Sequence, residues 1–367
     1  MFNTIMSRQI IFVSFFSILL IALNSCSKHT CDPIPTVPST KTDTAATVPS
    51  KPVSVVSGFS NISKATFPAL LAVDFQDSLN GYISGVNGFL QKTTDGGTTW
   101  TNISPTSAGD LYGLFFVSNS EGYIGSNNGD VFKTTDGGAN WSKVTTPSNT
   151  YGYGSYAFIT SDTGYAAGGA SSTEGSLLKT TDRGVTWKNV SIPGLSTIYD
   201  MIFLNPYTGF ICGMNNQIFK TSNGGKSWTQ ATINLTTTGT SSILLDKIRF
   251  TSSGVGYCVG YAVFFDANFI LKSTDSGSTW NQIPSPAQTY SSSDVYTSLF
   301  ITAKDELYVT GGNVTQNTAT LFKSNDGGAS WTNVPNNATS RLFESCYING
   351  KSFVVGLNGT ILKSFSK

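Results

Sequence analysis

Beyond residue 54 the apolar positions of the chain come in short runs, each broken after about four to eight residues by Gly, Asn, Asp or Ser. In one representative stretch, Tyr112 to Val117, Gly122 to Ser126, Asp130 to Thr135 and Trp141 to Thr145 each read as a strand. Runs this short, rich in aromatic residues and separated by turn formers, fit strands and are too short for helices. A landmark accompanies them: an aromatic residue stands six positions before a Gly-Tyr or Gly-Phe pair. Phe75 precedes Gly81-Tyr82, Phe116 precedes Gly122-Tyr123, Phe158 precedes Gly164-Tyr165, Phe203 precedes Gly209-Phe210 and Phe250 precedes Gly256-Tyr257. The pattern predicts units of four short strands.

Self-comparison sharpens the unit. TTDGGTTW at 93–100 recurs as TTDGGANW at 134–141, TTDRGVTW at 180–187, TSNGGKSW at 221–228, STDSGSTW at 273–280 and SNDGGASW at 324–331. All six tryptophans of the chain (Trp100, Trp141, Trp187, Trp228, Trp280 and Trp331) close one of these motifs. The acidic or amide residue (Asp95, Asp136, Asp182, Asn223, Asp275, Asp326) can accept hydrogen bonds from backbone N–H groups of its own turn. The glycine two positions later (Gly97, Gly138, Gly184, Gly225, Gly277, Gly328) suits a positive φ that other residues resist. Tryptophan then brings a large apolar area back onto the sheet. These motifs read as structural clasps, with no metal-binding role expected for their carboxylates.

The pattern [ST]-x-[DN]-x-G-x-x-W resembles the Asp-box, or BNR, repeat of sialidases, xyloglucanases and sortilin-type receptors. The phrase G-Y-I-x-G-x-x-G-x-x-x-K-T-T-D-G-G-x-x-W at 81–100 is most similar to the photosystem II stability and assembly factor family. That resemblance, over about residues 58–367, implies a single seven-bladed propeller acting as an assembly chaperone that holds protein partners. Spacing agrees: successive tryptophans lie 41, 46, 41, 52 and 51 residues apart, as four-stranded propeller blades with loop insertions would place them. After the sixth box, Ser340 to Tyr347, Ser352 to Gly356 and Thr360 to Phe365 supply only three strands. FSNIS at 59–63 imitates WTNIS at 100–104, the outer strand after a box, so the N-terminal strand is expected to complete the last blade. The expected fold is an all-β, seven-bladed propeller of four-stranded antiparallel blades over residues 54–367.

The first 53 residues read differently. Residues 1–25 carry Arg8, an apolar run from Ile10 to Leu23 and small residues at the end, the plan of a secretory signal. Leu23-Asn24-Ser25-Cys26 resembles the bacterial lipobox, which implies cleavage before Cys26, its lipidation and a location in the cell envelope, at the outer membrane. Residues 26–53, rich in Pro, Thr and Ser, read as a disordered tether. Cys212, Cys258 and Cys346 fall in apolar strand patterns and are expected to be buried free thiols.

Composition narrows the chemistry. Charged residues make up 12% of the chain and the formal net charge is +1, which excludes a phosphate-backbone footprint and hence nucleic acid. The single histidine, His29, lies in the tether, so histidine catalysis and His-ligated zinc have nothing to use in the propeller. The sialidase members of the resembled group use three arginines to hold a carboxylate. With Arg8 in the signal and Arg183 in a turn, only Arg249 and Arg341 remain, and sialidase activity is disfavoured. A xyloglucanase-type mechanism needs two carboxylates facing one another; Asp110, Asp200, Asp246, Asp294 and Glu344 lie near starts of inner strands, with no pair standing out.

No catalytic residue, cofactor or metal is assigned, and a monomer is expected. The candidate binding face is the loop side opposite the boxes, with Tyr112, Tyr151, Tyr153, Tyr199, Tyr290, Tyr296 and Phe343. Tyr112, Tyr199, Tyr296 and Phe343 share one aligned column, which Asp246 takes in the fifth blade. Such a column can grip a peptide or stack on sugar rings, or can simply pack between blades. A lysine recurs in every unit (Lys92, Lys133, Lys179, Lys220, Lys272, Lys323, Lys363), its stem expected along the sheet and its ammonium near the turn. The reading is an exported, lipid-anchored, non-enzymatic scaffold for a protein partner; the alternative is a carbohydrate-active surface protein, either a glycan-binding subunit or a degenerate hydrolase.

Overall fold

A computed structural model describes residues 25–26, 58–106, 108–147, 152–236, 243–262, 267–286 and 294–365. Strands of four to eight residues form the three inner strands of each blade, and seven such sheets are arranged around one axis. Blade 1 comprises Leu70–Phe75, Gly81–Gly85, Leu90–Thr93 and Thr101–Asn102, each strand antiparallel to the last. Blade 2 repeats the order with Leu111–Phe116, Gly122–Ser126, Val131–Thr134 and Ser142–Val144. The innermost strands of blades 3 to 7 are Gly152–Phe158, Ile198–Phe203, Ile243–Phe250, Asp294–Ile301 and Leu342–Ile348. Blade 5 carries an extra outer strand, Thr232–Asn234, paired in parallel with Thr279–Asn281.

The ring closes as the sequence implies. Gly58–Asn61 pairs antiparallel with Leu362–Phe365 and becomes the fourth strand of blade 7. Its Phe59 packs edge-on against Phe300 and Tyr308 of blade 6, with ring centroids 6.5 and 6.2 Å away. One strand therefore joins the two ends of the ring and buries an aromatic anchor in the neighbouring blade. Elsewhere, Ser25–Cys26 pairs in parallel with Gly113–Leu114 on the inner edge of blade 2.

The aromatic-to-glycine landmark has a packing cause. Phe75 pairs with Gly81 across the first hairpin, and a Cβ on Gly81 would lie 2.4 Å from the Phe75 ring. The ring thus lies on bare backbone, and the box tryptophan meets it edge-on. The Trp100–Phe75, Trp141–Phe116, Trp187–Phe158, Trp228–Phe203 and Trp280–Phe250 pairs all have centroids 5.8 to 6.4 Å apart and planes 80 to 85° apart. Edge-to-face contacts of this kind contribute beyond area burial.

The boxes are clasps. In the first, Thr93 Oγ1 accepts from the Gly97 N–H (2.9 Å) and donates to Asp95 Oδ1 (2.8 Å). Asp95 in turn accepts from the Thr99 N–H at 2.9 Å and the Thr99 hydroxyl at 2.6 Å, and Trp100 Nε1 donates to the Gly97 carbonyl at 3.1 Å. Gly96 and Gly97 have φ of 68° and 87°, two consecutive left-handed residues, and Arg183 and Ser276 bear that conformation without being glycine. In all five boxes that carry aspartate, the side chain and N–H of the residue before the tryptophan hold the carboxyl down at about 2.

Two predictions follow from closure and clasp. Replacing Phe59 with Ala removes the anchor of the closing strand and should cost roughly 3 kcal/mol or more in urea unfolding; deleting Gly58–Asn61 should lower the melting temperature of the whole ring, and an unchanged melt would refute closure. The box aspartates, with folded pKa values below the usual 3.8, contribute stability that is present above about pH 4 and lost as pH falls toward 2. Thermal unfolding followed from pH 5 to pH 2 should show a falling midpoint, and box Asp→Asn variants should flatten that fall.

Candidate functional site: the central channel

Within its blade an inner strand has a partner on one side only, and apart from Gly113–Leu114, which pair with Ser25–Cys26, its other edge of N–H and C=O groups faces the axis and needs partners. Side chains from the preceding blade meet part of this need. Asp74 Oδ2 accepts from the Phe116 N–H (2.8 Å), Ser155 Oγ from the Met201 N–H (3.0 Å) and Asp200 Oδ2 from the Ile248 N–H (3.0 Å). Thr297 Oγ1 donates to the Leu342 carbonyl at 2.9 Å.

Every inner strand also carries a β-bulge at one position, where a residue is skipped in the pairing with the second strand. The skipped residues are Leu71, Tyr112, Gly154, Tyr199, Asp246, Thr297 and Phe343. A bulge re-aims the extra residue and sharpens the local twist. Because the box turns share their face with the hairpins joining first and second strands (Gly96 N–H donates to the Leu79 carbonyl), the bulges lie toward the opposite face.

This ring corrects the alignment expected from sequence. Tyr296 pairs regularly with Gly311, and the bulge of blade 6 falls on Thr297. The strand ends at Ile301, paired with Leu307, so the bulge lies four residues before Ile301, whereas Tyr296 lies four before the aromatic Phe300. Tyr296 is a core residue packed with Tyr257, Val259 and Ile270. Tyr153, expected as a loop contact, is fully buried, its hydroxyl 3.3 Å from Ser176 Oγ, because the inner strand of blade 3 starts earlier than its sequence suggests. Tyr199 and Phe343 are buried in the bulge ring, while Tyr112 is half-buried there, its hydroxyl against the Gly152 backbone. Tyr151 and Tyr290 lie outside the described residues. The described members of the candidate face therefore pack inward, and among them there is no shared exposed stacking surface.

One step further along the strands lies the column Ala72, Gly113, Ser155, Asp200, Lys247, Ser298 and Glu344. Small residues on four blades leave room for long charged side chains from the other three. Lys247 of blade 5 reaches past blade 6 to Glu344 of blade 7, with Nζ 2.7 Å from Oε2, and lies 3.6 Å from Asp200 of blade 4. Arg249 donates to Asp200 Oδ2 at 2.5 Å, and Ser298 Oγ donates to Glu344 Oε1 at 3.1 Å. Lys247, Asp200 and Glu344 have no exposed side-chain surface. Burial raises the Glu344 carboxyl against the pull of Lys247 and Arg249.

Asp246 stands apart from this balanced chain. It is 2% exposed, and neither carboxylate oxygen has a hydrogen-bond partner among the described residues. Burial pushes its carboxyl well above the usual range; Lys247 opposes the shift, and Glu344 and Asp200 add to it. Of the five carboxylates noted in the sequence, the channel gathers Asp200, Asp246 and Glu344. Asp110 accepts from the Asn87 N–H and Asp294 from Asn313, both outside that group. The gathering escaped sequence reading because the three residues are contributed by blades 4, 5 and 7. The recurring aspartate-aromatic column was its only visible trace.

The recurring lysines have settled places. Each Nζ lies over an aromatic ring of its own blade's second strand, from Lys179 over Tyr165 at 5.3 Å to Lys220 over Phe210 at 5.9 Å. Lys92, Lys272 and Lys363 also donate to the carbonyls of Gly137, Gly327 and Gly96 in the next blade's box, at 3.0, 2.9 and 2.7 Å. Among the described residues no group of three or more His, Cys, Asp or Glu is placed to hold a metal.

These features define a class: a seven-bladed Asp-box propeller whose channel is crossed by buried ion pairs. The chain belongs to the family described as photosynthesis system II assembly factor YCF48, whose sequence model matches residues 52–150 and 184–289. Among solved structures it is similar to YCF48 bound to D1 peptide, at 20% identity and a TM-score of 0.66, covering 84% of this chain and 97% of that one. YCF48 from Cyanidioschyzon merolae gives 17% and 0.62, covering 83% and 98%. The GH74 xyloglucanase from Xanthomonas campestris gives 13% and 0.64, this chain spanning 53% of its length. No curated protein matches.

Removing one partner of a buried pair leaves its counter-charge stranded, at a cost of about 3–5 kcal/mol. Lys247→Ala should destabilise the ring by that order in denaturant unfolding. A loss below about 1 kcal/mol would mean that the channel network is solvated rather than buried.

Proposed function

We propose that this protein is a non-enzymatic binding and assembly scaffold, exported and held to the bacterial cell envelope by lipid on Cys26, that grips a segment of a protein partner at the propeller face opposite the Asp boxes. The observation that carries this reading is membership of the assembly-factor family, one of whose solved structures has a peptide bound. The chemistry of the channel supports it. Asp200 and Glu344 are committed to Arg249 and Lys247, and the box aspartates are consumed by their turns, so no acid and nucleophile face a common cleft among the described residues. Arg341 stacks over Phe343 at 4.9 Å, Arg249 pairs with Asp200 and Arg183 with Asp162, so the described arginines have separate partners and do not converge on one carboxylate as in the sialidases.

The glycan alternative has less to stand on. A surface groove on blade 1 is lined by Pro68, Phe89, Gln91, Asn102 and Pro105, but two of its amides are bonded to each other, Gln91 Nε2 donating to Asn102 Oδ1 at 3.3 Å.

Two measurements test the reading. Affinity capture from envelope extracts with the wild-type chain should enrich a defined protein partner, and retention of polysaccharide without protein would overturn the scaffold assignment. Cys26→Ala should release the protein from the membrane fraction into the soluble one; unchanged fractionation would overturn the lipid anchor alone.

A further inference from the structure

The channel network contains three carboxylates, Asp200, Asp246 and Glu344, against two cations, Lys247 and Arg249. The pairs Asp200–Arg249 and Glu344–Lys247 balance, and Asp246 is left as the carboxyl without a counter-charge. A buried carboxylate that accepts no hydrogen bond is costly, and evolution has ready alternatives at a bulge position, since the same column holds Leu71, Thr297 and Phe343 in other blades. The surroundings are equally particular. Tyr199 of blade 4 and Tyr261 of blade 5 pack together with Leu244 and Val295, and burial together with the Asp246 charge raises both phenols. The groups within electrostatic reach of Asp246 are thus Lys247, Glu344, Asp200, Tyr199, Tyr261 and the Cys212 thiol. Its place in the bulge ring, next to Lys247 in the chain, sets this residue beside the Asp200–Lys247–Glu344 network. The bulge ring is half-open at Tyr112 and Gly154, on blades 2 and 3.

We propose that Asp246, walled by Tyr199 and Tyr261, is a subsite for an alkylammonium group, the side chain of a lysine on the bound partner segment. Asp246, on giving up its proton, supplies the counter-charge, two aromatic rings supply faces for a cation and its methylenes, and the exchange of a proton for an ammonium leaves the channel's net charge unchanged. This rests on the scaffold reading above and specifies one contact within it. Guanidinium is a poorer occupant, since its five donors would meet a single carboxylate.

The test uses the full-length chain and two blocked pentapeptides, one with lysine at its centre and one with norleucine there, titrated by calorimetry. The lysine peptide should bind roughly tenfold to hundredfold more tightly than the norleucine peptide, and Asp246→Asn should erase the difference. Because burial keeps the vacant carboxyl protonated further up the pH scale, binding of the ammonium should release a proton, seen as a buffer-dependent heat that Asp246→Asn abolishes. Asp246→Asn should also melt at or above the wild-type temperature, with the gap widening as pH rises, since the raised folded pKa favours the protonated form at low pH. Equal affinity for the two peptides, or lysine preference surviving in the variant, would overturn the subsite. If the variant captured an intact partner undiminished, the subsite would fall and the scaffold would stand.

Discussion

Each blade except the sixth grips the turn of the blade that follows it. A second-strand tyrosine or phenylalanine lies under a third-strand lysine, and both reach the positive-φ stretch of the neighbouring Asp box. Tyr165 donates to the Gly224 carbonyl at 2.6 Å, Tyr257 and Lys272 both donate to Gly327, and Lys363 of the last blade donates to Gly96 of the first. The box therefore has two duties. Its aspartate organises the turn, and the turn's outward carbonyls become the acceptors that hold the preceding blade. Blade 7 has no box, so Lys323 of blade 6 pairs instead with Glu306 of its own blade, at 2.7 Å. The missing box is replaced by the closing strand and its Phe59.

That grip works at the outer part of one face and leaves the axis to be solved separately. Inner-strand edges converge there with unpaired backbone groups, and the channel is too narrow to leave them all to bulk water. Short polar side chains bond the adjacent edge, and Lys247 spans two blades to Glu344. Buried pairs of this kind add little net stability over an apolar core, yet they are costly to break and tie blades 4, 5 and 7 into one arrangement. A channel closed by charge is also a channel whose electrostatics can be altered by a single entering group.

In this chain the carboxylates of Asp200 and Glu344 are engaged by Arg249 and Lys247, and those of the boxes by their own turns, so these groups serve to hold the ring together. Low charge follows from the same economy: the inner strands of each blade are buried on both faces, so charge is left to turns, outer strands, the lysine ladder and the axis.

Most of the architecture was legible in one dimension because its causes are local. The box needs its hydroxyl, carboxylate, glycine and tryptophan within eight residues, and the Phe75-to-Gly81 contact is a hairpin pairing, so each leaves a fixed spacing. The closing strand was legible because Phe59 to Ser63 copies a segment seen elsewhere in the chain. Register at the axis was not: whether Tyr296 or Thr297 occupies the bulge depends on how a strand pairs with its neighbour, and a one-residue offset turns a ring residue into a core residue. Nor could the sequence join Asp200, Lys247 and Glu344, which come together only because seven separate sheets share one axis. What repeats along the chain was determined by the sequence alone. What happens once, at the point where all the repeats meet, was decided by the tertiary structure.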